Sequence, residues 1–237
     1  EIHKSKNKPR GFVYKKAKDI EGALRESFPY KETKDQKKTI KEVLGDLKKE
    51  KPMDRLVCGD VGFGKTEVAL RAVARVVSSG KQVLFLCPTT ILSDQHYIST
   101  VERLEPLGIR TALLSRFQTK NEQKTTINDL MLKNIDVVIG THRLLSGDVI
   151  CPSLGLLIID EEHRFGVKHK ESIRAIRPGV DVLSLSATPI PRTLQQSLLG
   201  IRDISRIETP PITRKPIKTY VEFFSWSRSS EIINEEI

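Results

Sequence analysis

Cysteine and aromatic residues are scarce in this sequence, and long apolar runs are missing altogether. The three cysteines, Cys58, Cys87 and Cys151, are an odd number with no close spacing. That speaks against both a disulfide framework and a zinc knuckle, and it suits reduced thiols. Among the five histidines, His163 and His169 lie near each other but lack a second pair of metal ligands. No apolar run approaches the roughly 18 residues needed to cross a bilayer, so no membrane association is expected. Glu1 to Arg10 are polar and lysine-rich with no apolar segment behind them, which is unlike a secretory leader and reads as a linker. These absences point to a cytoplasmic protein.

What is present suits a globular chain that can bury a full core. Of 237 residues, 38% are hydrophobic and 30% charged, the balance expected of one large domain with flanking extensions. The formal net charge is +10, which makes a polyanion a plausible partner, because clustered Lys and Arg release counterions when they meet phosphates. Much of the excess lies in Lys4 to Lys18 and Lys31 to Lys51, so solvated helix faces explain it equally well.

From about Met53 onward, short apolar runs alternate with helix-length stretches. The runs are Arg55 to Cys58, Gln82 to Cys87, Thr111 to Leu114, Asp136 to Ile139, Leu156 to Ile159 and Val182 to Leu185. They are nearly all apolar, as strands covered on both faces of a parallel sheet must be. Thr66 to Val77, Thr90 to Arg103, Asn121 to Lys133 and Val167 to Arg177 are long enough for crossover helices, and Thr33 to Leu47 predicts a further helix before the first strand. The expected fold is α/β, a doubly wound, mostly parallel sheet flanked by helices, with ligands at the carboxyl ends of its strands. After Pro210 and Pro211, Lys218 to Phe224 reads as a new strand with no helix behind it.

Two motifs carry chemistry. Gly59, Asp60, Val61, Gly62, Phe63, Gly64, Lys65 and Thr66 satisfy GxxxxGK(S/T) between a strand-like and a helix-like run, the context of a phosphate-binding loop. The glycines let backbone N–H groups turn in around phosphate oxygens, and the helix offers its positive end. Lys65 is suited to the β- and γ-phosphates of ATP and the Thr66 hydroxyl to Mg²⁺. The apolar run Leu156 to Ile159 ends in Asp160, Glu161, Glu162 and His163. Asp160 would hold Mg²⁺, and Glu161 would orient or deprotonate the attacking water.

That second tetrapeptide resembles the second motif of superfamily 2 helicases. More narrowly, Met53 to Ala69 and Asp160 to Val167 are similar to the bacterial transcription-repair coupling factors, with RecG-like translocases as near relatives. The resemblance spans about Phe12 to Val221 and implies a RecA-like P-loop lobe. It implies an ATP hydrolase that translocates on double-stranded DNA and displaces stalled RNA polymerase. Contacts with polymerase and excision-repair proteins would lie outside this chain. A RecG-like fork-remodelling motor and an ATP-gated nucleic-acid-binding module are the alternatives. Glu161, of no use in mere binding, weighs against the module.

The same resemblance makes Gln36 an adenine reader, with Phe28 or Tyr30 stacking on the base. Thr89 and Thr90, Ser115 and Arg116, and Thr141 and His142 each follow a strand-like run, where hydroxyls and N–H groups can hold a nucleic-acid backbone without reading bases. Ser186, Ala187 and Thr188 resemble the third helicase motif, thought to link phosphate state to DNA grip, and His163 is a second candidate coupler. The expected layout is a basic linker over 1–18, a first RecA-like lobe over 19–209, and a linker with the start of a truncated second lobe over 210–237. Lacking an initiating Met, the sequence reads as a piece of something longer. A family motor also needs a second lobe carrying an arginine finger, for which this sequence holds no candidate.

Overall fold

A computed structural model describes residues 12–176, 178–187, 202–211 and 221–236. Among the described residues, seven strands form one sheet: β1 (Asp54–Gly59), β2 (Gln82–Leu86), β3 (Thr111–Leu114), β4 (Val137–Gly140), β5 (Leu154–Asp160), β6 (Asp181–Ser186) and β7 (Asp203–Ile207). Their spatial order is β3-β4-β2-β5-β6-β1-β7, and each neighbouring pair is parallel. The helices are α1 (Lys18–Glu26), α2 (Lys34–Asp46), α3 (Lys65–Val77), α4 (Thr90–Leu104), α5 (Lys120–Met131), α6 (Val167–Ile176) and α7 (Trp226–Glu236).

Alternation along the strands divides the core. Val57, Phe85, Ile139, Ile158 and Leu185 turn to one face, against Leu24, Val43, Val73 and Leu104 from α1 to α4. Leu84, Val138, Leu157 and Val182 turn to the other, against Leu130 of α5 and Ile173 of α6. Covered on both sides, the inner strands favour apolar residues at most positions; among the buried exceptions, the Gln82 amide donates to Leu130 O and Ile135 O at 2.8 Å, and the Ser184 hydroxyl donates to Glu162 at 2.8 Å. Two buried arginines pin helices to this core. Arg75 is 2% exposed; it donates to both carboxylate oxygens of Glu21 at 2.9 and 2.6 Å and to Leu44 O at 2.9 Å, joining α3 to α1 and α2. Arg55 of β1 donates to Asp46 of α2 at 2.7 Å and to Ser205 of β7 at 2.9 Å.

The fold departs from the sequence reading near its end. β7 is an additional strand, paired with β1 along the edge. Of the stretch read as a strand, 218–220 lie outside the described residues, and 221–224 carry no regular structure. The absence of a following helix is also corrected, because α7 begins at Trp226. Its stability is local: Ser229 N bonds Ser225 O at 2.9 Å, and Arg228 pairs with Glu231 one turn on at 2.7 Å.

Candidate nucleotide site and nucleic-acid edge

The strand order sorts the motifs. Because all strands run the same way, every motif that follows a strand lies on the same carboxyl edge of the sheet. The phosphate loop follows β1, the third motif ends β6, and the acids end β5, three adjacent strands. Thr89 and Thr90 follow β2, His142 follows β4, and Arg116 follows β3, three more adjacent strands. At about 4.8 Å per strand, loop and acids lie roughly 10 Å apart across β6, a span that a magnesium-bound triphosphate can bridge.

Within the loop, Gly62 and Gly64 both have φ +80°, a left-handed backbone that glycine adopts without strain. Gly64 caps α3, and a Cβ there would collide with Gln36 Nε2. Lys65 Nζ donates to Gly59 O at 2.6 Å and Asp60 O at 3.0 Å. Burial pushes the pKa of Lys65 down, and the negative charges of Glu161, Asp160 and Asp60 oppose that shift. Loop amine and paired acids therefore share one electrostatic environment. Lys65→Ala is expected to weaken ATP binding about 10- to 100-fold, since a hydrogen bond to a charged group contributes roughly 1.5–3 kcal/mol. Titration with a fluorescent ATP analogue reads this, and an unchanged affinity would remove Lys65 from the site.

The acids are held in place. Asp160 is 8% exposed, and its Oδ2 lies 3.0 Å from His96 Nε2 on α4. Glu161 has φ 50° and ψ 53°, a left-handed conformation that costs a non-glycine residue about 1–3 kcal/mol and gathers at functional sites. Its surroundings enforce it: Glu161 N bonds Leu185 O at 2.9 Å, and its Oε1 accepts from Ala187 N at 2.8 Å. Second and third motifs are thus joined by a direct hydrogen bond. His163, half exposed, places Nδ1 3.2 Å from Glu161 Oε2. Ser186 is buried at the end of β6, and Thr188 lies outside the described residues. Glu162 turns away from the loop and meets Arg202 and Ser184 at 2.7 and 2.8 Å.

A cavity of about 310 Å³ opens beside the loop, lined by Phe28, Tyr30, Gln36, Gly64, Thr66 and Arg103 among others. Gln36 is 2% exposed. Its Oε1 accepts from Thr33 N at 2.8 Å in the capping box of α2, and its Nε2 donates to Phe63 O at 2.9 Å. One N–H and one lone pair are left for a base edge. Arg103 covers one side of Phe28, its guanidinium 5.4 Å from the ring centroid, while Tyr30 packs edge-on at 5.6 Å. The arginine also donates to Glu67 at 2.9 Å and Leu24 O at 2.8 Å.

On the other half of the edge, Thr89 caps α4 by accepting from Leu92 N at 3.2 Å. Arg116 and Phe117 are exposed side by side, 5.6 Å apart. His142 is exposed and stacks on His169 at 4.9 Å. Thr141 is 4% exposed and accepts Leu144 N through its backbone oxygen, so its backbone closes the turn behind His142 while its side chain is buried.

A strained acid, a glycine-turned lysine loop and a third motif bonded between them define a RecA-like P-loop ATPase lobe of helicase type. The chain belongs to the DEAD/DEAH box helicase family, whose model matches residues 33–197. It is 50% identical over its whole length to the Transcription-repair-coupling factor of Bacillus subtilis (strain 168), and 48% identical to that of Staphylococcus aureus (strain USA300). It spans only 20% of either relative. Among solved structures, RecG bound to a three-way DNA junction superposes with a TM-score of 0.80 at 37% identity, covering 95% of this chain and 30% of that one. A hypothetical ATP-dependent RNA helicase from Sulfolobus tokodaii, 23% identical with a TM-score of 0.58 over 82% of this chain and 57% of that one, shares the fold.

Proposed function

We propose that this chain is the ATP-binding lobe of a cytoplasmic motor that translocates on double-stranded DNA, in a protein that couples transcription to repair by displacing stalled RNA polymerase. The observation that carries the reading is the division of one carboxyl edge into three strands bearing nucleotide chemistry and three bearing cationic and hydroxyl groups for a backbone. The 50% identity to a coupling factor over the whole chain favours this protein class over a RecG-like fork remodeller. Residues 1–18 and 210–237 flank the lobe as connecting segments. No described helix is long and apolar enough to span a membrane, and binding to excision-repair proteins belongs to regions beyond this chain.

In the proposed mechanism, Lys65 leaves its loop carbonyls for the β- and γ-phosphates, and loop N–H groups orient the chain of phosphates. Gln36, Phe28 and Tyr30 receive the base. The hard oxygens of Thr66 and Asp160 fit Mg²⁺, and among the described residues no cluster of three His, Cys, Asp or Glu forms a cage for a different metal. Mg²⁺ keeps few protein ligands beside substrate phosphates, and when bound it neutralises charge on the transferred phosphoryl group. Glu161 Oε2, facing away from the Ala187 bond, accepts the proton of the attacking water. Ala187 N reports a shift of Glu161 to the third motif, and His163 is a second reporter. Thr89, Thr90, Arg116 and His142 hold phosphates of the DNA, with Thr141 shaping the last turn.

ATP turnover by the intact protein is expected to rise most with linear duplex, no further with a three-way junction of equal length, and not at all with RNA. Stimulation specific to the junction would support fork remodelling, and stimulation by RNA alone would overturn the DNA assignment. Turnover blind to every nucleic acid would favour an ATP-gated module.

A further inference from the structure

The hydrogen bond between His96 and Asp160 has no part in the mechanism above, yet its surroundings are built. His96 lies in the middle of α4, its side chain 14% exposed, and places Nε2 3.0 Å from Asp160 Oδ2. Its ring stacks on Phe85 at 4.7 Å, tilted 37°, and Phe85 is fully buried on β2, the strand beside β5. A stacked imidazole with a fixed plane leaves the carboxylate one direction in which to be held. Because a carboxylate only accepts, Nε2 must carry the hydrogen. One oxygen of Asp160 is thereby engaged from the side of α4, and the charge of the carboxylate acts on Lys65.

We infer that His96 is a positioning residue for the magnesium-holding carboxylate: it orients Asp160 from α4, so that the helix capped by Thr89 bears directly on the affinity of the site for Mg²⁺. This rests on the reading of Asp160 as a magnesium ligand. Hydrogen-bond partners of ligating groups fix their orientation, and losing one typically lowers metal affinity about 10- to 100-fold. Two further contacts of the same helix face the nucleotide cavity, at Ser99 and Arg103. His96 is thus one of three points on α4 turned toward the ATP site, and the one that meets an acid of the second motif.

The test titrates Mg²⁺ against a fluorescent ATP analogue bound to the intact protein, with no turnover involved. His96→Leu is expected to raise the Mg²⁺ concentration at half-effect about 10-fold, with nucleotide affinity in EDTA unchanged. His96→Gln, which keeps a donor near the Nε2 position, is expected to restore most of the loss. Asp160→Asn is the control for the underlying reading and should shift the Mg²⁺ dependence at least as far. If Asp160→Asn shifts it and His96→Leu does not, the inference fails and the site stands; if neither does, Asp160 is not the ligand. A loss with His96→Leu that appears equally in EDTA, or that His96→Gln does not relieve, assigns His96 to packing on Phe85 and overturns the inference.

Discussion

Purified by itself, this chain is expected to turn ATP over about 10³- to 10⁵-fold more slowly than the longer polypeptide in which its relatives carry it, the range contributed by an arginine finger. The lobe supplies cation and acids from one side only. Lys65 opens α3 behind the loop that follows β1, and Asp160 and Glu161 come from the end of β5. Arg103, the arginine lining the cavity, is committed to Glu67, Leu24 O and the face of Phe28, so charge developing on the far side of the γ-phosphate would meet no arginine from that cavity. Phosphoryl transfer depends almost entirely on such positioned charge. ATP affinity, by contrast, should survive within a few-fold, because loop, base cavity and acids all lie in this chain. Phosphate release at saturating Mg-ATP, with and without duplex DNA, measures the difference. Brisk, DNA-stimulated hydrolysis by the isolated chain would show that it completes its own site.

The second large effect is expected for Glu161→Gln in the intact protein: turnover should fall about 10³-fold, within the 10²- to 10⁴-fold range of general acid–base catalysis, while nucleotide affinity stays close to that of the parent. Glutamine keeps an oxygen able to accept from Ala187 N, where Glu161 Oε1 does so now, and it is no more strained than glutamate at φ 50°. What it loses is the ability to take a proton. Single-turnover hydrolysis and a binding titration on the same preparation separate the two. A turnover within ten-fold of the parent would place the base elsewhere. A parallel loss of affinity would mean that Glu161 serves the fold of the loop more than the chemistry.

Local signals in the sequence were strong where physics leaves one solution. Six apolar runs become β1 to β6, since a strand covered on both faces takes mostly apolar residues and admits a polar one, such as Gln82 or Ser184, with a bonded partner. The phosphate loop and the acids were legible for a related reason: a turn built from Gly62 and Gly64, or a strand ending in Asp160 and Glu161, is written in consecutive residues. β7 was not, because at the sheet edge Asp203–Ile207 alternates burial and exposure, and Asp-Ile-Ser-Arg-Ile looks like a loop. α1 was missed with only Ile20, Ala23 and Leu24 to mark it. The contacts that orient the acids were beyond reach, because they join residues far apart: His96 to Asp160 across 64 positions, and Glu161 to Ala187 across 26. A lone histidine inside a helix carries no sign of which carboxylate it will meet. Gln36 shows the converse, since the motif named the residue, but only the fold reveals that half of its amide is already spent on Thr33 and Phe63.

α4 has a mechanical consequence of its own. At about 1.5 Å per residue, its 15 residues make a rod some 22 Å long. One end emerges from the Thr89 cap on the row of strand tips, and the other ends beside the base cavity at Arg103. His96 fastens the rod to Asp160 near the midpoint, Arg103 ties its far end to Glu67 and Leu24, and Leu104 is buried in the core. Held at several points along its length, such a rod would carry pressure from duplex phosphates at its Thr89 end to the acid and the base cavity together. A strut of this kind would let the track speak to the fuel.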